Sequence, residues 1–186
     1  MANLACNGIT HLSYKLYDAL SKKEGNILFS PLSIHAILSM IYQGATGQSA
    51  ENLEKVLAIT GAKKSADSYE ALMETVSYIY SVKVCVANKI FAQSPFKDDF
   101  SATVTKSYFA ETETLDLSNG ADASGKINSW TEEKSENRIK DIVSAGNLAG
   151  SKLVLASGLD IKGDWLIQFE EKDTKKRNSI YRRQTQ

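Results

Sequence analysis

Apolar residues at Ile9, Leu12, Leu16, Tyr17 and Leu20 recur at helical spacing, which predicts an amphipathic opening helix ended by the polar stretch 21–26. Ile27, Leu28 and Phe29 form an apolar run compatible with a buried strand, although three residues do not separate strand from helix. Ser30 then offers a capping oxygen and Pro31 stands at a first helical position, where its missing N–H costs nothing. Over residues 32–42 the side chains Leu32, Ile34, Ala36, Ile37, Leu38, Met40 and Ile41 leave almost no polar face. Such a helix belongs inside a domain, being too short to span a membrane. Gly44 and Gly47 supply a turn, Ser49 is the expected cap of the next helix, and Glu51 falls in its first turn.

Residues 60–67 read as a polar loop, after which Tyr69, Leu72, Met73, Val76 and Tyr80 mark another helix. At Val82 the period changes to two: Val82, Val84 and Val86 alternate with Lys83, Cys85 and Ala87, predicting a strand that Ser94 and Pro95 end. Phe96, Phe100, Val104 and Tyr108 step by four in a short helix, and residues 111–117 form a modest strand closed by Asn119 and Gly120. Ala123, Ile127 and Trp130 share one face of a helix, and Ile139, Ile142 and Val143 are expected to continue the burial. Residues 152–163 are the longest strand candidate. Apolar on both sides for most of that length, the segment reads as a central strand.

Composition narrows the function classes. A 186-residue chain that is 42% hydrophobic and 24% charged is an ordinary globular protein, one domain by default. Net charge is zero, which leaves no electrostatic footprint for nucleic acid. The tail departs from this balance: Lys172, Lys175, Lys176, Arg177, Arg182 and Arg183 face only Asp173 among acids. Residues 170–186 are therefore set apart from 1–169 as a basic polar tail, expected to be a solvated end rather than a polyanion or membrane site. The first ten residues show neither the basic nor the apolar region of a signal peptide, which favours a leaderless chain. Cys6 and Cys85 form no metal or redox spacing and are expected to be small buried thiols.

Catalytic chemistry finds few candidates. His11 and His35 are the only histidines, and both fall within predicted helices. Ser30, a nucleophile near His35 in sequence, is already accounted for as a cap. Two His and two Cys at these separations make no metal set, and the Gly44–Gly47 turn follows no strand, so no phosphate loop is present. No catalytic residue, cofactor or metal is expected, and Trp130 and Trp165 are assigned to the core.

Four ordered motifs carry a family resemblance. Asn26, Ser30, Pro31, Ser33, Leu38 and the turn Gly44, Ala45, Gly47 come first. Ala87, Asn88, Ile90 and Phe91 follow, then Ile127, Asn128, Trp130, Glu132, Glu133, Lys134 with Arg138, Ile139, Lys140, Asp141. Last come Leu153, Val154, Leu155 with Lys162, Gly163 and Trp165. In this order and spacing they resemble the N-terminal half of the serpins, a family made mostly of suicide inhibitors of serine proteases. The resemblance implies an α+β fold with about six helices on an incomplete, mostly antiparallel sheet. It implies a hydrogen-bonded cluster governing sheet opening, called the shutter, that takes in Asn26, Ser30, Ser33 and Ser157. Asn128, Trp130, Lys162, Gly163 and Trp165 are core anchors on the same basis.

Departures matter as much. Where the family usually carries Asn-Ala-Ile-Tyr-Phe in its third strand, this chain has Ser157, Gly158, Leu159, Asp160 and Ile161. Ser157 has a shorter reach and fewer hydrogen-bonding groups than Asn, and Asp160 puts a charge where an aromatic would pack. A complete serpin is about twice as long, and its reactive loop lies in the other half. The resemblance thus implies an inhibitor class, a serine protease as partner and an extracellular location, while these residues encode no reactive site. A cytoplasmic location is the alternative given the missing leader. The alternative function is a non-inhibitory binding module that pairs with itself, a serpin or another chain through an exposed sheet edge.

Overall fold

A computed structural model of the chain describes residues 2–79 and 82–175. Its elements run α1 (Asn3–Leu20), α2 (Pro31–Tyr42), α3 (Gly47–Leu57), α4 (Ala62–Ser77), β1 (Val82–Ala92), α5 (Asp98–Tyr108), β2 (Ala110–Thr114), α6 (Gly120–Lys134) and β3 (Leu153–Gly163). Short 3-10 turns lie at Ala145–Leu148 and Glu171–Asp173. Among the described residues, six helices accompany one three-stranded sheet, the expected α+β class.

The strand order is β2-β1-β3. β1 and β3 run antiparallel in register from Val82↔Gly163 to Ala92↔Leu153. β1 and β2 run parallel from Asn88↔Ala110 to Ala92↔Thr114. The sheet is therefore mixed, with the longer of its two pairings antiparallel. The parallel pairing has a local cause: α5 crosses from β1 to β2, and two strands joined through a packed helix return in the same direction.

Alternation along the strands divides the core in two. Val86, Ile90 and Leu155 face α2, α4 and α5, meeting Ala36, Met40, Tyr69, Met73, Val104 and Tyr108. Phe91 and Ala156 face the other way, onto Ala123, Ile127 and Trp130 of α6 and onto Leu115, Leu117 and Leu148. Each large side chain fully buried in these layers contributes about 1.5–3 kcal/mol. α2 begins as its sequence predicts: Ser33 donates its amide to the Ser30 side chain at 3.2 Å, with Pro31 in the first turn. Losing such a cap typically costs about 1 kcal/mol. None of the twelve residues of α2 is exposed, but its most buried positions include Ser33, His35 and Ser39.

Several expectations are corrected. Ile27, Leu28 and Phe29 form neither strand nor helix; Leu28 is fully exposed, Ile27 is exposed and Phe29 is half-buried. α3 starts after Thr46, so Ser49 lies inside the helix and caps nothing. α4 starts at Ala62, well inside the expected loop: Gly61, at φ 95°, turns the chain, and Ser65 and Ser68 are buried on the inner face. β2 is shorter than residues 111–117, although Leu115 and Leu117 stay buried beyond its end. Ile139 and Ile142 are exposed rather than buried. Cys6 is exposed and Cys85 half-buried, both as free thiols. Tyr80 and residues 176–186, with most of the basic tail, lie outside the described residues.

Candidate functional site

The even-numbered row of β1 points toward α2 and α5, and Asn88 is the polar member of an otherwise apolar row: Val84, Val86, Asn88, Ile90. Register sets it opposite Ser157 of β3. The Ser157 hydroxyl donates to Asn88 Oδ1 at 2.8 Å, and Asn88 Nδ2 donates to the carbonyl of Tyr108, the last residue of α5, at 3.2 Å. One carboxamide, 1% exposed, thereby ties both antiparallel strands to the end of a helix. Tyr108 continues inward. Its hydroxyl donates to Ser39 O at 3.3 Å and accepts from Gln43 Nε2 at 2.7 Å, and burial pushes its pKa well above the usual tyrosine range. Buried polar groups this well satisfied fix a unique arrangement, because each loses its partner if the elements slide.

The opposite face carries a buried cation. Lys89 Nζ pairs with Glu111 at 3.1 Å and Glu113 at 2.8 Å, and sits 5.1 Å from the Phe91 ring centre and 5.9 Å from that of Trp130. Glu111 is the residue directly opposite Lys89 on β2 and also holds Lys134 of α6 at 2.9 Å. Burial pulls the Lys89 ammonium down, but its hydrogen bonds to Glu113 and Glu111 outweigh it and leave the group above its ordinary value.

Among the described strands β3 is one edge of the sheet and β2 the other. The expected place of β3 as a central strand is not met within these residues, because β1 pairs with one side of it and no described strand takes the other. Beyond its end Trp165, Leu166, Ile167 and Phe169 are all exposed, Trp165 by 71%. Asp160 is not stranded: Arg138 Nη1 reaches its Oδ1 at 2.6 Å, and Arg138 also holds Glu136, which in turn holds Lys83. This four-residue network accommodates the charge at the end of β3, where Asp160 keeps partial contact with solvent.

The serpin family profile, described as Serpin (serine protease inhibitor), matches residues 7–186. The chain belongs to the serpin family. It is 32% identical to the leukocyte elastase inhibitor of Xenopus tropicalis over 94% of this chain and 48% of that protein. It is also 32% identical to Serpin-Z2A of Triticum aestivum, over 89% of this chain and 45% of that one. Among solved structures, emu ovalbumin superposes with a TM-score of 0.82 at 25% identity, over 90% of this chain and 49% of the other. The chain thus spans about half the length of the curated relatives it matches.

Of the residues that resemblance assigned to the serpin shutter, Ser30 and Ser33 come together at the start of α2, and Ser157 meets Asn88. Asn26 lies exposed ahead of α2. Among the assigned core anchors, Trp130 is buried, and Asn128 bonds both ways with the Val143 backbone at 2.9 and 3.1 Å. Lys162, Gly163 and Trp165 are exposed, Gly163 opposite Val82, because they lie at the open end of the edge strand. Asn88 stands in the second-strand motif with no bonding role assigned to it, and Lys89 in none. The available signal was a polar or charged residue inside an apolar strand, which demands a buried partner.

Proposed function

We propose that these 186 residues form the N-terminal scaffold of a serpin-type serine protease inhibitor, and that they do not carry out suicide inhibition alone. The observation that carries this is β3: an 11-residue strand with one side unpartnered among the described residues and an exposed apolar segment following it. A long uncovered edge accepts another strand. The relatives' further length is where a reactive loop and a covering strand would come from. On this reading the chain is not an enzyme, and its protease partner is met only with that remainder. Asn88 and Ser157 act as the fastening that resists displacement of β3 from β1. Two free thiols favour a reducing, cytoplasmic location over the extracellular one.

The test is incubation of the purified chain with trypsin-like, chymotrypsin-like and elastase-like proteases, followed by a denaturing gel. No covalent complex is expected. A shifted band that depends on the protease's active-site serine would overturn the proposal. The second reading, a binding module acting through the β3 edge, is favoured by the same unpartnered strand and predicts stable association without proteolysis.

A further inference from the structure

His35 lies in α2 and is fully buried at the meeting point of three other helices. Its Nε2 is 3.0 Å from the carbonyl of Leu57 at the end of α3. A carbonyl only accepts, so Nε2 carries the proton and Nδ1 is the acceptor. Tyr69 of α4 places its hydroxyl 2.6 Å from Nδ1, and Ser39 one turn along α2 places its own at 3.3 Å. From α1, Gly8 brings its backbone so close that a Cβ there would sit 2.6 Å from Nε2. The ring is thus the common contact of α1, α2, α3 and α4.

The groups facing this ring make protonation costly. α3 offers a carbonyl, α4 the Tyr69 hydroxyl and α2 the Ser39 hydroxyl. Tyr108 of α5 lies against Tyr69, its ring tilted by 31° with 4.7 Å between ring centres, and the Cys6 thiol of α1 also acts on Tyr69. No carboxylate hydrogen-bonds the ring among the described residues, and Glu54 of α3 is engaged by Tyr42 and the Gly61 amide. A second proton on the imidazole would add an uncompensated buried charge. It would also force the Tyr69 hydroxyl, now the donor to Nδ1, to turn round and accept.

We propose that His35 is a proton-operated latch: neutral, it fastens α1, α3 and α4 onto α2, and protonated it releases that seam before the sheet gives way. Burial lowers the affinity of the ring for a proton, with the Leu57 carbonyl partly opposing. Above about pH 6.5 both closed and opened seams hold a neutral ring, and the latch is fully engaged. As pH falls below that value the opened form takes up a proton that the closed form refuses. Opening then rises toward tenfold per pH unit, levelling off below the closed-state pKa.

The test uses the full chain. His11 and His35 are the only histidines, so His11→Gln assigns their two imidazole proton resonances. The exposed His11 serves as internal control. The expected result is a His35 signal that stays in its neutral position below pH 6.5, while amide exchange, corrected for intrinsic rates, speeds up in α1 and α3 before β1. His35→Gln can give the same donor to Leu57 and the same acceptor to Tyr69 without titrating, and should abolish the acid-dependent exchange. His35 titrating at an ordinary value, exchange in α1 and α3 that does not respond between pH 7.5 and 5, or a His35→Gln chain that keeps the response, would each overturn the proposal. If His35→Gln does not fold, the wild-type titration and exchange decide on their own.

Discussion

Replacing Gly8 with alanine probes how tightly α1 is docked on the polar interior. In an isolated helix the change stabilises by about 1 kcal/mol, since alanine is the better helix former. Here the new Cβ would lie 2.4 Å from the Leu57 carbonyl oxygen and 2.6 Å from His35 Nε2, distances far inside van der Waals contact. Neither neighbour can step aside freely, because one is backbone and the two are hydrogen-bonded to each other. Overpacking costs about 1–3 kcal/mol, and separating His35 from Leu57 leaves a buried donor and acceptor at about 1–3 kcal/mol more. After the propensity gain the net destabilisation is about 1–5 kcal/mol, a large share of the ~5–15 kcal/mol that holds a typical domain together. Gly125→Ala in α6 is the matched control, because nothing lies within 4 Å of its Cβ position. Urea titrations followed by circular dichroism at pH 7.5 measure both. Gly8→Ala should lower the midpoint and Gly125→Ala should leave it unchanged or raise it. A Gly8→Ala chain as stable as the parent would refute the close docking of α1.

Asn88→Ala should cost about 1–3 kcal/mol, since it strips the Ser157 hydroxyl and the Tyr108 carbonyl of partners; thermal denaturation checks it. Lys89→Met should destabilise by about 1–3 kcal/mol, leaving Glu111 and Glu113 facing each other's charge, and less in high salt because both carboxylates are partly exposed. Glu111 is pushed up by burial but pulled further down by Lys134 and Lys89, so it ends below its ordinary 4.5. Its depressed pKa means that stability from this cluster is complete above about pH 4.5 and is lost as pH falls further, which an acid titration of Lys89→Met against the parent would show as a flattened slope. Arg138→Ala should leave the thermal midpoint almost unchanged, as its partners stay partly solvated.

The elements bounded by strong local chemistry were legible in the sequence. Ser30 and Pro31 start α2 where they should, and the change of period at Val82 marks β1. Less legible were features that depend on partners. β3 is apolar on both faces and reads as central, yet its position is decided by which strands lie beside it, which periodicity does not encode. The parallel pairing of β1 with β2 is implicit in the strand–helix–strand order around α5, although no residue of either strand marks its direction. The polar interior was least visible. His35, Ser39, Asn88 and Lys89 interrupt apolar patterns and look like solvent positions until Tyr69, Tyr108 and Glu111 are brought to them by the fold.

The β3 edge offers the most direct test of the scaffold proposed here. Its 11 residues pair on one side with β1, so the amides directed away from β1 should exchange quickly while those directed toward it are protected. A peptide patterned on the reactive-loop strand of serpins, long enough to cover that edge, should protect the outward amides and raise the thermal midpoint. Protection should be confined to β3, with β2 and α6 unchanged. If β3 is already protected on both sides in the free monomer, or if the peptide changes neither its exchange nor the midpoint, the edge is not a strand-accepting site and the account fails.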